Sequence, residues 1–126
     1  VITPQAFDTA CLLWAFGTLI GNTDMHSGNL SCLSDGGRPY ELAPAYHMTP
    51  MAFAPTAGGG LPDRALEITV GEQVSAGAWK AVLAMARVFV RWVEDEEGFS
   101  VGFDACNAEL LRHVTVVAER VRRLAV

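Results

Sequence analysis

Apolar residues repeat at helical intervals near both ends of this chain and lose all periodicity in its middle. Thr3-Pro4 opens the first periodic stretch as an N-cap followed by proline at the first helical position. Phe7, Cys11, Trp14 and Thr18 then step by three or four, with Leu13, Phe16 and Ile20 widening the stripe, and Gly21 ends it. A short strand is expected at about 30–33 and a second at about 40–42, joined by the turn "SDGGRP" as a hairpin. From 43 to about 66 the chain is rich in Pro, Gly, Met and Ala, and "PTAGGGLPD" reads as a long loop. A helix at about 75–94 carries Trp79, Val82, Ala86, Phe89 and Val93 on one face. Gly98 breaks the chain and Ser100 caps a last helix striped by Phe103, Cys106, Leu110, Val114, Val117, Val121 and Leu124. The two stripes suit an antiparallel helix pair. The pattern predicts one domain, mainly α with a small β-hairpin.

Composition narrows the class. The 126 residues are 51% hydrophobic and 18% charged, which describes a folded chain with a real core. No apolar run approaches the roughly 18 residues of a membrane helix, so no membrane role is expected. No secretory leader opens the chain, and its start at Val1 suggests a fragment. Net charge is −5, from 9 basic and 14 acidic residues, which argues against direct nucleic-acid binding. Arg120, Arg122 and Arg123 fall near a helix C-terminus, where the dipole accounts for them. Cys11, Cys32 and Cys106 are odd in number and sit among apolar neighbours, as reduced core thiols of a cytoplasmic protein would. His113 reads as a structural histidine beside the last stripe, and "EDEEG" as the solvated end of a helix.

Chemistry concentrates in "NTDMHSGNLS", residues 22–31. Asp24 and Asn29 are five apart, with His26 between them, after one helix and before the hairpin. In kinase-type phosphoryl transfer an aspartate accepts the proton of the attacking hydroxyl, and an asparagine five residues later gives an oxygen to Mg²⁺. An amide suits that second place because Mg²⁺ is a hard cation that takes oxygen ligands. Plain turn chemistry competes with this reading, since Asp and Asn serve turns and Asp24 could cap a short helix. A third reading is a Zn²⁺ site built from Asp24, His26 and His47, with Cys32 as a further ligand.

"LIGNTDMHSGNLS" followed by "YELAPAY" resembles the C-terminal lobe of HipA-like serine/threonine kinases, toxins of bacterial toxin–antitoxin pairs. The resemblance implies the large lobe of a protein-kinase-like fold, with the small lobe absent. It implies a full-length parent that uses ATP and Mg²⁺ to phosphorylate a serine or threonine of a protein substrate, and that pairs with a DNA-binding antitoxin. Carried over by position, Asp24 would be the catalytic base, His26 would brace the catalytic loop and Asn29 would be the Mg²⁺ ligand. The loop at 57–63 would correspond to the activation segment.

Two departures are visible. The only lysine, Lys80, lies inside a predicted helix, so nothing here clamps phosphates and the fragment itself is expected to hold neither ATP nor Mg²⁺. The family's second cofactor-binding position is an aspartate in a segment like "AYD", whereas this chain has Ala45-Tyr46-His47. Imidazole is a poor Mg²⁺ ligand, so His47 implies impaired phosphoryl transfer. A partner-binding module derived from a kinase lobe, without chemistry of its own, is the alternative.

Overall fold

The computed structural model describes residues 1–62, 65–67 and 70–124; Asp63, the last residue of the predicted glycine-rich loop, lies outside them. Among the described residues the architecture is three α-helices and one two-stranded hairpin, the mainly helical arrangement that the apolar pattern predicts.

Helix α1 spans Pro4–Ile20. Thr3 Oγ1 accepts from the Ala6 amide at 3.1 Å, and Gly21 closes the other end at φ 77°. The Asn22 amide donates to the Gly17 carbonyl at 2.8 Å and the Gly21 amide to that of Thr18 at 3.4 Å. This paired closure satisfies carbonyls a helix end otherwise leaves open, and its left-handed residue favours glycine. The buried face of α1 keeps the predicted Cys11, Phe16 and Ile20 but departs from the prediction at Phe7 and Trp14. Ala15 and Leu19 are fully buried with Leu12 and Phe16 packed beside them, while Phe7 and Trp14 are 56% and 53% exposed. The face is centred on Ala15 and Leu19, which the predicted stripe did not include. Small residues let α1 approach its neighbours closely, a preference that weighting by large apolar side chains does not register.

The hairpin pairs β1 (Cys32–Leu33) with β2 (Glu41–Leu42) antiparallel, with Cys32 opposite Leu42. Both strands are shorter than predicted. The N-terminal residues hold the hairpin against α1, the Thr3 amide donating to the Tyr40 carbonyl and the Tyr40 amide to that of Val1, each at 2.9 Å. Cys32 is exposed, which corrects its assignment to the core; Cys11 is half-buried and Cys106 buried.

Helix α2 covers Ala76–Asp95, capped by Ser75 Oγ on the Ala78 amide, and α3 covers Asp104–Leu124 after a 3₁₀ turn at Val101–Phe103. Trp79, Val82, Ala86 and Val90 of α2 meet Cys106, Leu110, Val114, Val117 and Val121 of α3 in a single core that α1 completes with Ala15 and Leu19. Phe89 and Val93 pack at its edge, and Phe89 meets Phe16 of α1 edge-on at 6.3 Å. Each fully buried valine or leucine contributes about 1.5–3 kcal/mol, so this seam holds the three helices as a rigid frame. Leu124 is exposed past the end of the stripe. His113 is buried, as its place beside the stripe suggested, and its Nε2 lies 3.0 Å from the Thr18 carbonyl at the end of α1. No described helix is long and apolar enough to cross a membrane.

Candidate active site

The polar loop begins where α1 stops, and Asn22 determines its path. This side chain is 5% exposed. Its Oδ1 accepts from the Asp24 amide at 3.1 Å, while its Nδ2 donates to the His47 carbonyl at 3.1 Å and lies 3.7 Å from Met48 Sδ. One buried amide therefore ties the loop at 24 to the segment at 47–48, with both ends of the side chain used. Farther along, Asn29 Nδ2 donates to the Asp24 carbonyl at 2.7 Å. That bond closes the five-residue interval into a ring and leaves the Asn29 Oδ1 without a hydrogen-bond partner among the described residues.

His26 is the cap of the 3₁₀ turn Ser27–Asn29, its Nδ1 accepting from the Gly28 amide at 3.1 Å. The capping role considered for Asp24 thus belongs to His26. The Asp24 carboxylate is half-exposed, with Oδ2 3.9 Å from His47 Nδ1. His47 itself adopts φ 58°, a left-handed conformation in which Asn, Asp and His are the tolerated non-glycine residues. Tyr46, quoted in the sequence motif without a role, donates its hydroxyl to the Gly28 carbonyl and pairs with Ser31 Oγ, each at 3.1 Å. The three candidates Asp24, Asn29 and His47 are thereby held in one region by Asn22 and Tyr46. Sequence inspection alone assigns neither of these two braces.

A cavity of about 260 Å³ opens beside this loop. Leu13, Trp14, Met25, Leu30, Pro44 and Met48 form its apolar wall, and Asn29, Tyr46 and His47 its polar side. Trp14 therefore lines the cleft rather than the core. The sulfur atoms of Met25 and Met48 lie against Gly17, where a larger residue would displace Met25.

The donor set decides what metal chemistry is open. Among the described residues no three His, Cys, Asp or Glu side chains gather to hold a metal ion. Asp24, His26, His47 and Cys32 do not form the Zn²⁺ site considered from sequence. For Mg²⁺, the Asn29 amide oxygen suits a hard cation, whereas His47, which lines the same cavity, offers only an imidazole. The residues as they stand do not fit Mg²⁺.

Residues 3–122 match the HipA-like C-terminal domain. The chain is 36% identical over 125 residues to a curated relative, "Toxin YjjJ" of Escherichia coli (strain K12). That alignment covers 98% of this chain and 28% of the relative, so the chain spans little more than a quarter of the relative's length. No solved structure matches the chain.

Proposed function

Since this chain belongs to the HipA-like C-terminal domain family, we propose that it is the large-lobe portion of a kinase-type toxin, acting in the cytoplasm opposite an antitoxin partner. In a longer protein that supplies ATP and its metal, the Asp24 carboxylate would accept the proton of a serine or threonine hydroxyl on a protein substrate as that oxygen attacks the terminal phosphoryl group and ADP leaves. The observation that carries this reading is the ring closed between Asn29 and the Asp24 carbonyl at 2.7 Å. It holds a half-exposed carboxylate and an amide oxygen at the spacing phosphoryl transfer uses, on a loop braced from both sides. Lys80, the only lysine of the 126 residues, is exposed on α2 and does not line the cavity beside the polar loop.

His47 sets the limit on activity. An imidazole 3.9 Å from Asp24 supplies no hard oxygen and, once protonated, adds positive charge where Mg²⁺ is needed. The same residue favours the second reading, a lobe that binds its partner but performs no chemistry. His47→Asp separates them. Aspartate tolerates the left-handed backbone at this position, and its carboxylate would face that of Asp24. Without Mg²⁺ the two negative charges repel, so the variant melts at lower temperature than the parent protein, and millimolar Mg²⁺ restores it. In the longer parent, Mg²⁺-dependent phosphorylation of a protein substrate rises at least tenfold, which takes only about 1.4 kcal/mol in the transition state. Asp24→Asn in that variant then lowers turnover by about 10²- to 10⁴-fold with the fold intact. Failure of His47→Asp to gain activity or Mg²⁺-dependent stability leaves the non-catalytic reading.

A further inference from the structure

One polar cluster lies outside the polar loop and has no part in the chemistry above. Glu109, Arg112 and His113 share a face of α3 at spacings of three and four. Glu109 and Arg112 form a doubly bonded ion pair, Arg112 Nε to Glu109 Oε2 at 2.8 Å and Nη2 to Oε1 at 2.6 Å. The pair also grips the backbone of a residue more than forty positions away. The Leu66 amide donates to Glu109 Oε1 at 2.7 Å, and Arg112 Nη2 donates to the Leu66 carbonyl at 3.2 Å. Both main-chain polar groups of Leu66 are thus satisfied by one ion pair, in a stretch that belongs to no helix or strand.

What the pair holds matters because of what Leu66 touches. Its side chain reaches the place a Cβ would occupy on Gly21, at 3.2 Å, where α1 turns into the polar loop. His113, one position beyond Arg112, fixes the Thr18 carbonyl of that same turn. The face of α3 therefore anchors two things at once, the end of α1 and the segment that returns after the glycine-rich loop. We infer that Glu109 and Arg112 are positioning residues: a backbone clamp that seats the Leu66 segment beneath the start of the polar loop and so sets where Asp24 stands. The clamp reads main chain, so it holds the segment regardless of the side chains there. The consequence for turnover rests on the kinase reading; the clamp itself does not.

Amide hydrogen exchange on the whole chain tests it. Glu109→Gln keeps an acceptor oxygen but loses the charge-assisted pairing, so the Leu66 amide exchanges at least fivefold faster, with the amides of the α2–α3 core unchanged. Glu119→Gln is the control. It breaks the Glu119–Arg122 pair, which has the same i, i+3 spacing on the same helix, and leaves Leu66 protection as it was. The exchanged pair Glu109→Arg/Arg112→Glu keeps opposite charges on the helix but presents a donor to an amide and an acceptor to a carbonyl, so it does not restore protection. Full restoration by that double variant, or unchanged exchange in Glu109→Gln, overturns the clamp and makes the pair a helix-surface contact only. In the longer parent carrying His47→Asp, Glu109→Gln lowers kcat several-fold with KM for ATP unchanged; an unchanged kcat alongside faster Leu66 exchange overturns the positioning role. Absence of any turnover before Glu109 is altered counts against the kinase reading, while the exchange result on Leu66 still decides the clamp.

Discussion

Replacing Asn22 by alanine removes the buried one of the two side chains that join the halves of the candidate site, Tyr46 being the other. Two hydrogen bonds disappear, one that Asn22 Oδ1 accepts from the Asp24 amide and one that Asn22 Nδ2 donates to the His47 carbonyl, each 3.1 Å long. A typical intramolecular bond contributes about 0.5–1.5 kcal/mol net. The groups released are the main-chain amide of Asp24 and carbonyl of His47, both bonded in part-buried surroundings, so each bond is taken at the middle of that range. The expected loss is about 2 kcal/mol, read as a lowered midpoint in urea with an unchanged m-value. Asn22→Asp sharpens the test. It retains an oxygen for the Asp24 amide, yet it buries a carboxylate at 5% exposure against the His47 carbonyl. An unpaired buried charge costs more than a missing bond, so aspartate is the worse substitution at pH 7 and improves relative to alanine as the pH falls and the carboxyl protonates. Loss under about 0.5 kcal/mol in alanine, or an aspartate variant as stable as the parent at pH 7, refutes the cross-link.

Two further outcomes are expected. Trp14→Ala costs under about 1 kcal/mol whereas Trp79→Ala costs about 3–5 kcal/mol, because Trp14 is half-exposed on the cleft and Trp79 fully buried; equal losses in denaturant titrations would return Trp14 to the core. Burial is the main influence on His113 and lowers its pKa from 6.5, outweighing the Thr18 carbonyl; of the nearby charges, Arg112 lowers it and Glu109 raises it. The unfolded chain therefore takes up a proton that the folded one resists, and stability falls as the pH drops below about 6.5; melting curves of His113→Gln between pH 7.5 and 5.5 should show a shallower decline than those of the parent chain, and an identical slope would remove His113 as its source.

The amphipathic stripes of α2 and α3 were legible in the chain because large β-branched and aromatic residues recur there at helical spacing, and such a stripe has one way to leave water. The turn glycines marked the hairpin for a similar local reason. The polar loop was legible as a candidate site because a plain turn between two apolar stretches needs only part of the cluster formed by Asp24, His26 and Asn29. Cap chemistry located both ends of α1, since Thr3-Pro4 and Gly21 act within a few residues of themselves.

Tertiary packing decided the rest. Which face of α1 turns inward depends on how Ala15 and Leu19 seat against the core of α2 and α3, and that contact exists only once the helices meet. Cys32 lies in a strand too short and too near the edge to be covered, a matter of what packs over it rather than of its neighbours in sequence. Asn22 is joined to His47 across 25 positions and Leu66 to Glu109 across 43. Polar bonds over such separations leave no periodic trace, because they depend on where two distant backbones come to rest. The sequence determined the elements and the chemistry they could carry; only the packed core brought Asn22, Asp24 and His47 together, since hydrophobic burial sets the frame and the polar bonds then form wherever that frame leaves groups in reach.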